Sequence, residues 1–550
     1  MKKKAIIAIV SLIVFGQGAW AEDVEWPETI GSMTLNDDNS SNKFYPVSSV
    51  DNLNDLAVYV NGQGTYRTGG KETTSHTCKD LTFKVTNNIT FSQSESDEFV
   101  PIGYGDGLDW VPFAGTFDGQ GNVISGINYS APEGTSIGLF GYISGALIQN
   151  VKMDYCSFTG NIDVGAIAGL ASGVHDDSNH GIYNCIVGSH VTVEAVSATI
   201  ESEEFLGTFA GGIIGECADA TLSGCVSAAT VTGDDCVGGI AGRLISSVTG
   251  GKERGVIENC LFMGSVTGTT NKGDIVGARG AVIEGEEGTE GLLQPAELTQ
   301  LTLLDNDTEA VIDNATWLSY YNGAEGVDVT LAGRTLIKDG YWNTLCLPFD
   351  VDDFEGTPLE DATVMTLGNS DACDTRYDAA TGTLHLEFLP ANKIEAGLPY
   401  IVKWKSGDDI SDPVFNGVTI RNENPSDQSV SSKDGAVTFV GSYSPFVIDE
   451  TNIGNILYIG SANKIGHSAN ARTLRSCRAH FELTNPSAAP VRTVVVDYGE
   501  EEIVTGIISM EDGRSQMEDD SWYTLSGIRL NGEPTEKGIY LFNGKKVVIK

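Results

Sequence analysis

The sequence returns five times to one short glycine-rich phrase, and no other feature limits the possible folds as strongly. The five copies are IGLFG at 137–141, VGAIAG at 164–169, AGGIIG at 210–215, VGGIAG at 237–242 and KGDIVG at 272–277. A second phrase follows three of them: CIVGSHVT at 185–192, CVSAATVT at 225–232 and CLFMGSVT at 260–267. Such a period predicts one supersecondary unit stacked on copies of itself, because a single unit cannot bury its apolar face alone.

The residues within each copy favour strands over helices. A valine followed by threonine lies six residues after each repeat cysteine, at Val191, Val231 and Val266. Alternating β-branched residues separated by glycine turns are typical of short strands. We therefore predict a parallel β-helix whose coils each use about 20–30 residues and advance roughly 4.8 Å. The prediction also places four repeat isoleucines in one column: Ile167, Ile213, Ile240 and Ile275.

Three of the ten cysteines occupy the same repeat position, at Cys185, Cys225 and Cys260. Stacked on neighbouring coils, they would form an internal ladder of small buried side chains. Cysteines of an exported chain can also pair, but a disulfide needs a Cα separation and an aim that a sequence does not show. Buried thiols are the favoured interpretation for these three, and disulfide pairing stays open.

The first 21 residues are typical of an export signal. Three lysines precede the apolar run AIIAIVSLIVF, and Ala19-Trp20-Ala21 offers the small residues that a signal peptidase requires. That run is too short to span a bilayer comfortably, and no later stretch has the length of a transmembrane segment. We expect cleavage after Ala21.

Cleavage at that point leaves 30 basic against 75 acidic residues, a formal charge of −45. Such an acidic surface repels phosphate backbones, so nucleic acid is excluded as a partner. It also argues against anionic polysaccharides, unless divalent ions bridge the charges.

The residue pattern that predicts secondary structure changes several times along the chain. Residues 44–62 predict one helix, capped by Ser48 or Ser49 and ended by Gly62. Many short strands between 326 and 499 predict a β-sandwich. The fold class is therefore all-β. The expected domains are a signal peptide at 1–21, an N-terminal cap with the first coils at 22–130, β-helix repeats at 131–285, a linker at 286–325, a β-sandwich at 326–502 and a small β tail at 503–550.

Three parts of the sequence resemble known patterns. FAGTFDGQGNVISG, IGLFG and VGGIAG resemble the GLUG-motif surface proteins of Bacteroidetes. GRTLIKDGYWNTLCLPFDV and IEAGLPYIVKW look like a β-rich module of exported proteins of that phylum. The ending WYTLSGIRLNGEPTEKGIYLFNGKKVVIK is similar to the sorting domains of type IX secretion. The resemblance implies a parallel β-helix and a cell-surface or secreted location, and it supplies no catalytic residues.

Candidate ligands for a metal lie in one insert, HDDSNH at 175–180. His175, Asp176, Asp177 and His180 could bind a cation, with calcium as the candidate, although adjacent aspartates in loops usually face water. No other cofactor is indicated, because the sequence has no H-E-x-x-H, G-x-S-x-G, Walker loop or C-x-x-C.

Aromatic residues in the second half are candidates for a flat platform under sugar rings, although strand-borne aromatics more often fill a core. They are Trp317, Tyr320, Tyr321, Tyr341 and Trp342.

We expect an exported, adhesin-like protein that binds a glycan or a host protein without catalysis, because a stacked scaffold presents a long face. The alternative is a polysaccharide-degrading lyase or glycosidase on the β-helix, which needs converging carboxylates or a base.

Overall fold

The structure is a computed structural model, and the expected signal peptide at 1–21 lies outside its described residues. Contacts divide the chain into two compact units, Met1–Glu297 and Leu298–Lys550. The described residues are 26–37, 43–62, 77–106, 109–173, 180–196, 208–249, 252–280, 289–290, 292–460, 463–484, 491–499, 502–506, 508–510, 522–524, 529–530, 538–542 and 545–549.

Five parallel sheets run along the first unit and form a β-helix, which confirms the predicted all-β class. Each coil from residue 116 to 279 passes once through every sheet. The first and second sheets share the continuous strand Val256–Phe262 in the last coil.

The strands of each sheet are as follows. The first sheet contains Tyr45–Val47, Thr82–Val85, Thr116–Asp118, Leu147–Gln149, Gly181–Tyr183, Thr221–Ser223, Val256–Phe262 and Leu292–Pro295. The second contains Ile89–Thr90, Val123–Ser125, Lys152–Asp154, Ile186–Val187 and Val226–Ser227. The third contains Asn128–Ser130, Ser157–Gly160, Thr192–Ala195, Thr230–Gly233 and Ser265–Gly268. The fourth contains Thr135–Ile137, Ile162–Gly165, Ala210–Gly211, Val237–Gly238 and Lys272–Gly273. The fifth contains Phe140–Ser144, Ala168–Ser172, Ile214–Ala218, Ala241–Ser246 and Val276–Arg279, with Thr289–Glu290 antiparallel to it.

Backbone hydrogen bonds join the repeat isoleucines of successive coils. The amide of Ile167 donates to the carbonyl of Ile213, that of Ile213 to Ile240, and that of Ile240 to Ile275, each at 3.0 Å. The first three side chains are fully buried, and Ile275 in the last coil is partly exposed. The four isoleucines therefore lie in one column, at the corner between the fourth and fifth sheets.

The fourth and fifth sheets approach so closely that their backbones touch at the repeat glycines. A Cβ on Gly238 would lie 1.9 Å from the carbonyl oxygen of Ala241. A Cβ on Gly215 would lie 2.4 Å from the carbonyl carbon of Asp163. Only glycine fits such an approach. Two columns share this role: Gly138, Gly165, Gly211, Gly238 and Gly273 in one, and Gly141, Gly169, Gly215, Gly242 and Gly277 in the other.

The three repeat cysteines also stack, inside the corner before the second sheet. The amide following Cys225 donates to the carbonyl of Cys185 (2.9 Å), and the amide following Cys260 donates to that of Cys225 (2.9 Å). All three are buried free thiols. A hydrogen bond with the Cys185 thiol, together with burial, raises the pKa of Cys225, so this thiol is unreactive near neutral pH.

The valine register inferred from the repeat phrases is wrong in one coil. Val193, not Val191, pairs with Val231, and Val231 pairs with Val266. Four residues lie between Val187, which pairs with Ser227, and Thr192, which pairs with Thr230. Only two residues lie between the corresponding positions of each of the next two coils. An ungapped comparison of the phrases cannot detect these two extra residues.

The helix predicted within 44–62 is confirmed, together with its cap and its end. It spans Val50–Asn61, with Ser49 as its N-cap and Gly62 at its end, where φ is 79°. Residues 45–47 instead pair with Thr82–Val85 as a strand. Smaller elements complete this end of the unit: the helix Gln93–Ser96, the paired strands Thr29–Ile30 and Met33–Thr34, and the paired strands Tyr104–Asp106 and Asp109–Val111. Later in the unit, the strands Val248–Thr249 and Lys252–Glu253 also pair.

The second unit contains two larger, mainly antiparallel sheets that share a core. Phe388 of one sheet packs against Phe439 and Phe481 of the other, with ring centroids 5.8 and 6.3 Å apart, as in a β-sandwich. One sheet contains Asn343–Leu345, Thr363–Leu367, Arg376–Asp378, Thr383–Pro390, Tyr400–Lys403, Thr493–Asp497 and Glu502–Gly506. The other contains Val430–Ser431, Val437–Ser442, Ile456–Ile459, Ile465–Ser468, Arg478–Leu483 and Ile508–Met510. Smaller sheets contain Gln300–Leu304, Val327–Ala332 and Val414–Val418; Thr335–Leu336 and Ile410–Ser411; and Phe446–Ile448 and Arg472–Leu474.

Two predicted boundaries differ from the structure. The segment 286–325 is not a linker throughout, because strand Gln300–Leu304 and helix Asn314–Tyr321 pack in the core of the second unit through Leu303 and Leu318. The boundary at 502/503 falls inside the strand Glu502–Gly506, which pairs with the sandwich. A separate four-stranded sheet begins only at residue 522 and contains Trp522–Thr524, Arg529–Leu530, Gly538–Phe542 and Lys545–Ile549.

Replacing Gly238 by alanine should destabilise the first unit by about 1–3 kcal/mol, the usual range for an overpacked core. The added Cβ would lie 1.9 Å from the oxygen of Ala241, so the two sheets would have to separate locally. Chemical denaturation measures the effect. Thr230→Ala, an exposed change in the same coil, is the control and should unfold like the unmodified chain. Equal stability of Gly238→Ala would show that the close sheet contact is wrong.

Candidate functional site

The predicted metal ligands fall mostly on residues that the structure does not describe. His175, Asp176 and Asp177 lie outside the described residues, and His180 is half-buried just before the strand Gly181–Tyr183. Among the described residues, no three His, Cys, Asp or Glu side chains are grouped so that they could hold a metal ion. Calcium binding at 175–180 stays a prediction.

The aromatic residues proposed as a platform do not share one surface. Tyr321 and Trp342 are buried, Trp317 and Tyr320 pack against the core beside them, and Tyr341 is 45% exposed. The first three of the five lie on the helix Asn314–Tyr321 rather than on strands. Only Tyr341 of this set presents a large exposed ring.

A carboxylate pair with a basic residue does converge between the fourth and fifth sheets. Arg243 donates to Glu216 and lies 4.1 Å from the ring of Phe209. Asp163 is buried beside this pair, and its Oδ1 has no hydrogen-bond partner among the described residues. The cluster is closed to solvent, so it cannot receive a polysaccharide chain as a glycosidase groove would.

The protonation of this cluster follows from its charges. Two carboxylates share one guanidinium, and burial penalises every ionised form. Desolvation and the charge of Glu216 raise the pKa of Asp163 well above its usual range, although Arg243 opposes the shift. Burial also raises the pKa of Glu216, but Asp163 is the carboxyl group of the pair that takes up a proton more readily.

An exposed stack of two rings lies at the corner between the second and third sheets. Tyr155 is 64% exposed, and its ring lies parallel to that of His190, with centroids 4.2 Å apart and planes 5° from parallel. Buried Asp154 fixes the imidazole: its Oδ1 accepts from the His190 amide at 3.2 Å, and its Oδ2 lies 3.3 Å from Nδ1. We call Asp154, Tyr155 and His190 the aromatic corner.

The aromatic corner departs from the repeat in two independent ways. Tyr155 has φ of 50°, which is a genuine outlier for a bulky residue; the same corner of the preceding coil is also left-handed, with φ of 85°, but is occupied by Gly126. His190 lies in the longer connection that distinguishes its coil. Outliers of this kind cluster at functional sites.

A flat hydroxyl-bearing surface begins immediately beside the aromatic corner. It is the outward side of the third sheet, and we call it the hydroxyl face. Its side chains form two parallel rows along the stack of coils, which we call ranks. On each strand the residue between the two ranks in sequence points inward, and Phe158, Val193 and Val231 are buried in this way. The first rank is Asn128, Ser157, Thr192, Thr230 and Ser265, and the second is Ser130, Thr159, Glu194, Thr232 and Thr267.

The strand register fixes the spacing of these hydroxyls. Neighbours in a rank are about 4.8 Å apart, and the ranks are about 6.7 Å apart, because side chains two residues apart share a face. Within the first rank, Thr192 donates to Ser157 at 2.9 Å and Ser265 to Thr230 at 3.3 Å. The hydroxyl face is therefore an ordered array of donors and acceptors.

The sequence analysis missed both features. The signals were present as the alternating triplets SFT at 157–159, TVT at 230–232 and SVT at 265–267, and as the longer connection at GSH, 188–190. The prediction from the repeat phrases concerned their cysteines and valines, so the outward residues were not considered.

Comparison with known proteins gives little further guidance. No family model matches the chain. A stretch of 106 residues is 30% identical to halomucin of Haloquadratum walsbyi, covering 18% of this chain and about 1% of halomucin. A solved structure described as a candidate immunoglobulin A1 protease from Bacteroides ovatus aligns over 46% of this chain and 75% of its own, at 15% identity and a TM-score of 0.30. Neither likeness assigns an activity, so the function has to be argued from the site itself.

Within the described part of the chain, no helix is both long enough and apolar enough to cross a bilayer.

The buried cluster predicts a pH dependence of stability. A group whose pKa is raised in the folded state contributes stability below its unfolded pKa, about 3.9 for aspartate, and that stability is lost as pH rises through the folded value. Asp163→Asn should therefore be more stable than the unmodified chain at pH 8, with the difference vanishing at pH 4. Thermal unfolding across this range measures it.

Asp274→Asn, a change at an exposed position of the same unit, is the control and should follow the unmodified chain. A lower stability of Asp163→Asn at pH 8 would mean that Asp163 is ionised and held by Arg243, which contradicts the assignment of the proton.

Proposed function

We propose that this protein is an exported, adhesin-like repeat protein that binds an uncharged glycan on the hydroxyl face, anchored at the aromatic corner, without catalysis. The observation that carries the proposal is the exposed Tyr155–His190 stack, which puts a bulky ring at a left-handed corner that the preceding coil fills with glycine. A glycan suits this surface better than a protein partner, because the described face offers hydroxyls and one aromatic anchor rather than an apolar patch.

The chemistry of the two features is complementary to a sugar chain. A pyranose ring has an apolar C–H face that packs on an aromatic ring, and its hydroxyls need donors and acceptors at fixed positions. Tyr155 supplies the ring, and Ser157 and Thr159 lie on the strand that follows it. His190 and buried Asp154 hold Tyr155 in place, which reduces the entropy lost on binding.

The charge of the chain favours a neutral ligand. The full sequence has a formal charge of −42, and Glu194 is an exposed carboxylate within the hydroxyl face. A polyanionic chain would be repelled at close range, where screening by salt is least effective. Neutral polysaccharides avoid this repulsion and still use every hydroxyl.

Removing the Tyr155 ring should weaken binding to neutral oligosaccharides at least about tenfold, which corresponds to 1.4 kcal/mol. Tyr155→Gly is the most direct test, because it copies Gly126 of the preceding coil and relieves the strain of a side chain in the left-handed conformation. It should lose binding on a glycan array while matching or exceeding the stability of the unmodified chain, since that conformation strains residues with a Cβ by about 1–2 kcal/mol.

Tyr155→Phe and Tyr341→Ala serve as controls. The first keeps the stacking ring and the second removes an exposed ring from the other unit, so both should retain binding. Full affinity of Tyr155→Gly for every bound glycan, or binding to host proteins alone, would contradict the proposed anchor.

The alternative activity, degradation of polysaccharide, predicts a different result with the same preparation. Release of reducing sugar from a panel of polysaccharides tests it directly. The proposal expects none, because the converging acids Asp163 and Glu216 are buried. Turnover on any polysaccharide would overturn the non-catalytic assignment.

Export and surface location are part of the proposal. They are supported by the signal-like first 21 residues and by the resemblance to GLUG-motif surface proteins and to type IX sorting tails. The separate sheet from 522 to 549 is the segment that would act as the address.

A chain ending at Met510 should fail to reach the cell surface while folding normally. This end point keeps the strands Glu502–Gly506 and Ile508–Met510, which pair with the sandwich, whereas an end at Gly499 would remove them. Cell fractionation measures location, and thermal unfolding of the purified truncated chain provides the folding control. Surface delivery equal to that of the full chain would show that the tail has no address role.

A further inference from the structure

Three arginines lie within seven residues of the second unit, in the segment RTLRSCR at 472–478. This concentration is unusual in a chain with 33 basic and 75 acidic residues. Arg475 is 60% exposed and Arg478 is 27% exposed, measured on their side chains. The segment therefore presents guanidinium groups that solvent can reach.

The guanidinium groups of Arg475 and Arg478 share one buried carboxylate. Asp305 accepts from Arg475 at 3.0 Å and from Arg478 through its other oxygen. A third guanidinium, that of Arg334, is buried nearby and donates to the backbone carbonyls of Thr344 (2.6 Å) and Ser476 (3.5 Å). Positive charge is thus in excess around Asp305.

The carboxyl group of neighbouring Asp307 does not remove this excess. It is buried and accepts a hydrogen bond from the Asn314 amide at 2.8 Å. Desolvation raises its pKa, and even when it is ionised the two carboxylates carry one charge fewer than the guanidinium groups of Arg334, Arg475 and Arg478. Burial, together with the charge of Arg478, lowers the pKa of Arg334 to about 9, which still leaves it protonated at neutral pH.

Two buried donors at the same place have no hydrogen-bond partner among the described residues. They are Nε of Arg334 and Oγ of Ser476, on side chains that are 3% and 1% exposed. The carbonyl of Ser476 accepts from both Arg334 and Arg478, so the donors converge on one residue. Unpaired buried donors are rare in folded proteins and call for a partner.

We propose that the cluster of Arg334, Arg475, Ser476 and Arg478 binds one small oxyanion: a phosphate, a sulfate or a carboxylate. Such a group accepts several hydrogen bonds at once and balances the excess charge, and arginine forks suit its planar or tetrahedral oxygens. The acidity of the whole chain does not prevent this, because exposed charges more than about 8 Å away are screened at physiological salt. This site is independent of the proposed glycan site, which lies in the first unit.

Titration of the full mature chain with sodium phosphate, sodium sulfate and sodium glucuronate tests the proposal. Each salt is compared with sodium chloride at equal ionic strength, by calorimetry and by the thermal unfolding of the second unit. We expect saturable heat and a rise in unfolding temperature with at least one oxyanion. The free ions and the sugar acid distinguish an inorganic ligand from the carboxylate of a glycan.

Variants locate the site. Arg475→Ala should weaken the anion about tenfold, the loss of one charge-assisted hydrogen bond, and Ser476→Ala should weaken it without changing the charge. Arg421→Ala removes an exposed arginine paired with Asp350 at 3.2 Å and should leave affinity unchanged. The proposal is overturned if no oxyanion gives a saturable effect, as expected if water alone satisfies these donors, or if Arg475→Ala and Ser476→Ala bind as tightly as the control.

Discussion

The contact of two backbones at the repeat glycines is the constraint on which the first unit depends. Because the fourth and fifth sheets touch at positions such as Gly215 and Gly238, neither sheet can slide without a clash or separate without losing this contact. This contact sets the register of every coil against the next. The isoleucine column, the cysteine ladder and the spacing of the hydroxyl face all follow from that register, since a one-residue slip would turn each outward side chain inward.

The proposed binding site lies where the repeat is interrupted. Regular coils give the hydroxyl face its flatness, but an identical surface on every coil would not fix where a ligand begins. The longer connection at His190 and the Tyr155 ring, at a corner that the preceding coil fills with glycine, break that uniformity on two neighbouring coils. A repeat scaffold can accept such changes because they alter a corner and leave the buried columns intact.

The sequence was sufficient for the β-helix and for its inner columns, because Ile167, Ile213 and Ile240 recur at constant distance from glycine. It was insufficient wherever an interaction depends on a gap or on distant residues. The valine register failed at Val191 because two added residues have no signature in an ungapped comparison. The aromatic corner joins Tyr155 to His190 across a coil, and the arginine cluster joins Asp305 to Arg478 across much of a unit. Neither pairing has a local sequence signal.

Each unit contains a cluster of unequal charge, and the two clusters balance it in opposite ways. Around Arg243 there are two carboxylates, and the excess negative charge is removed when Asp163 takes up a proton. Around Asp305 there is an excess of guanidinium groups, and arginine keeps its proton at neutral pH. Protonation cannot correct an excess of that sign. An anion from outside the chain would lower the free energy of such a cluster, which is why the second arrangement, and not the first, points to a ligand.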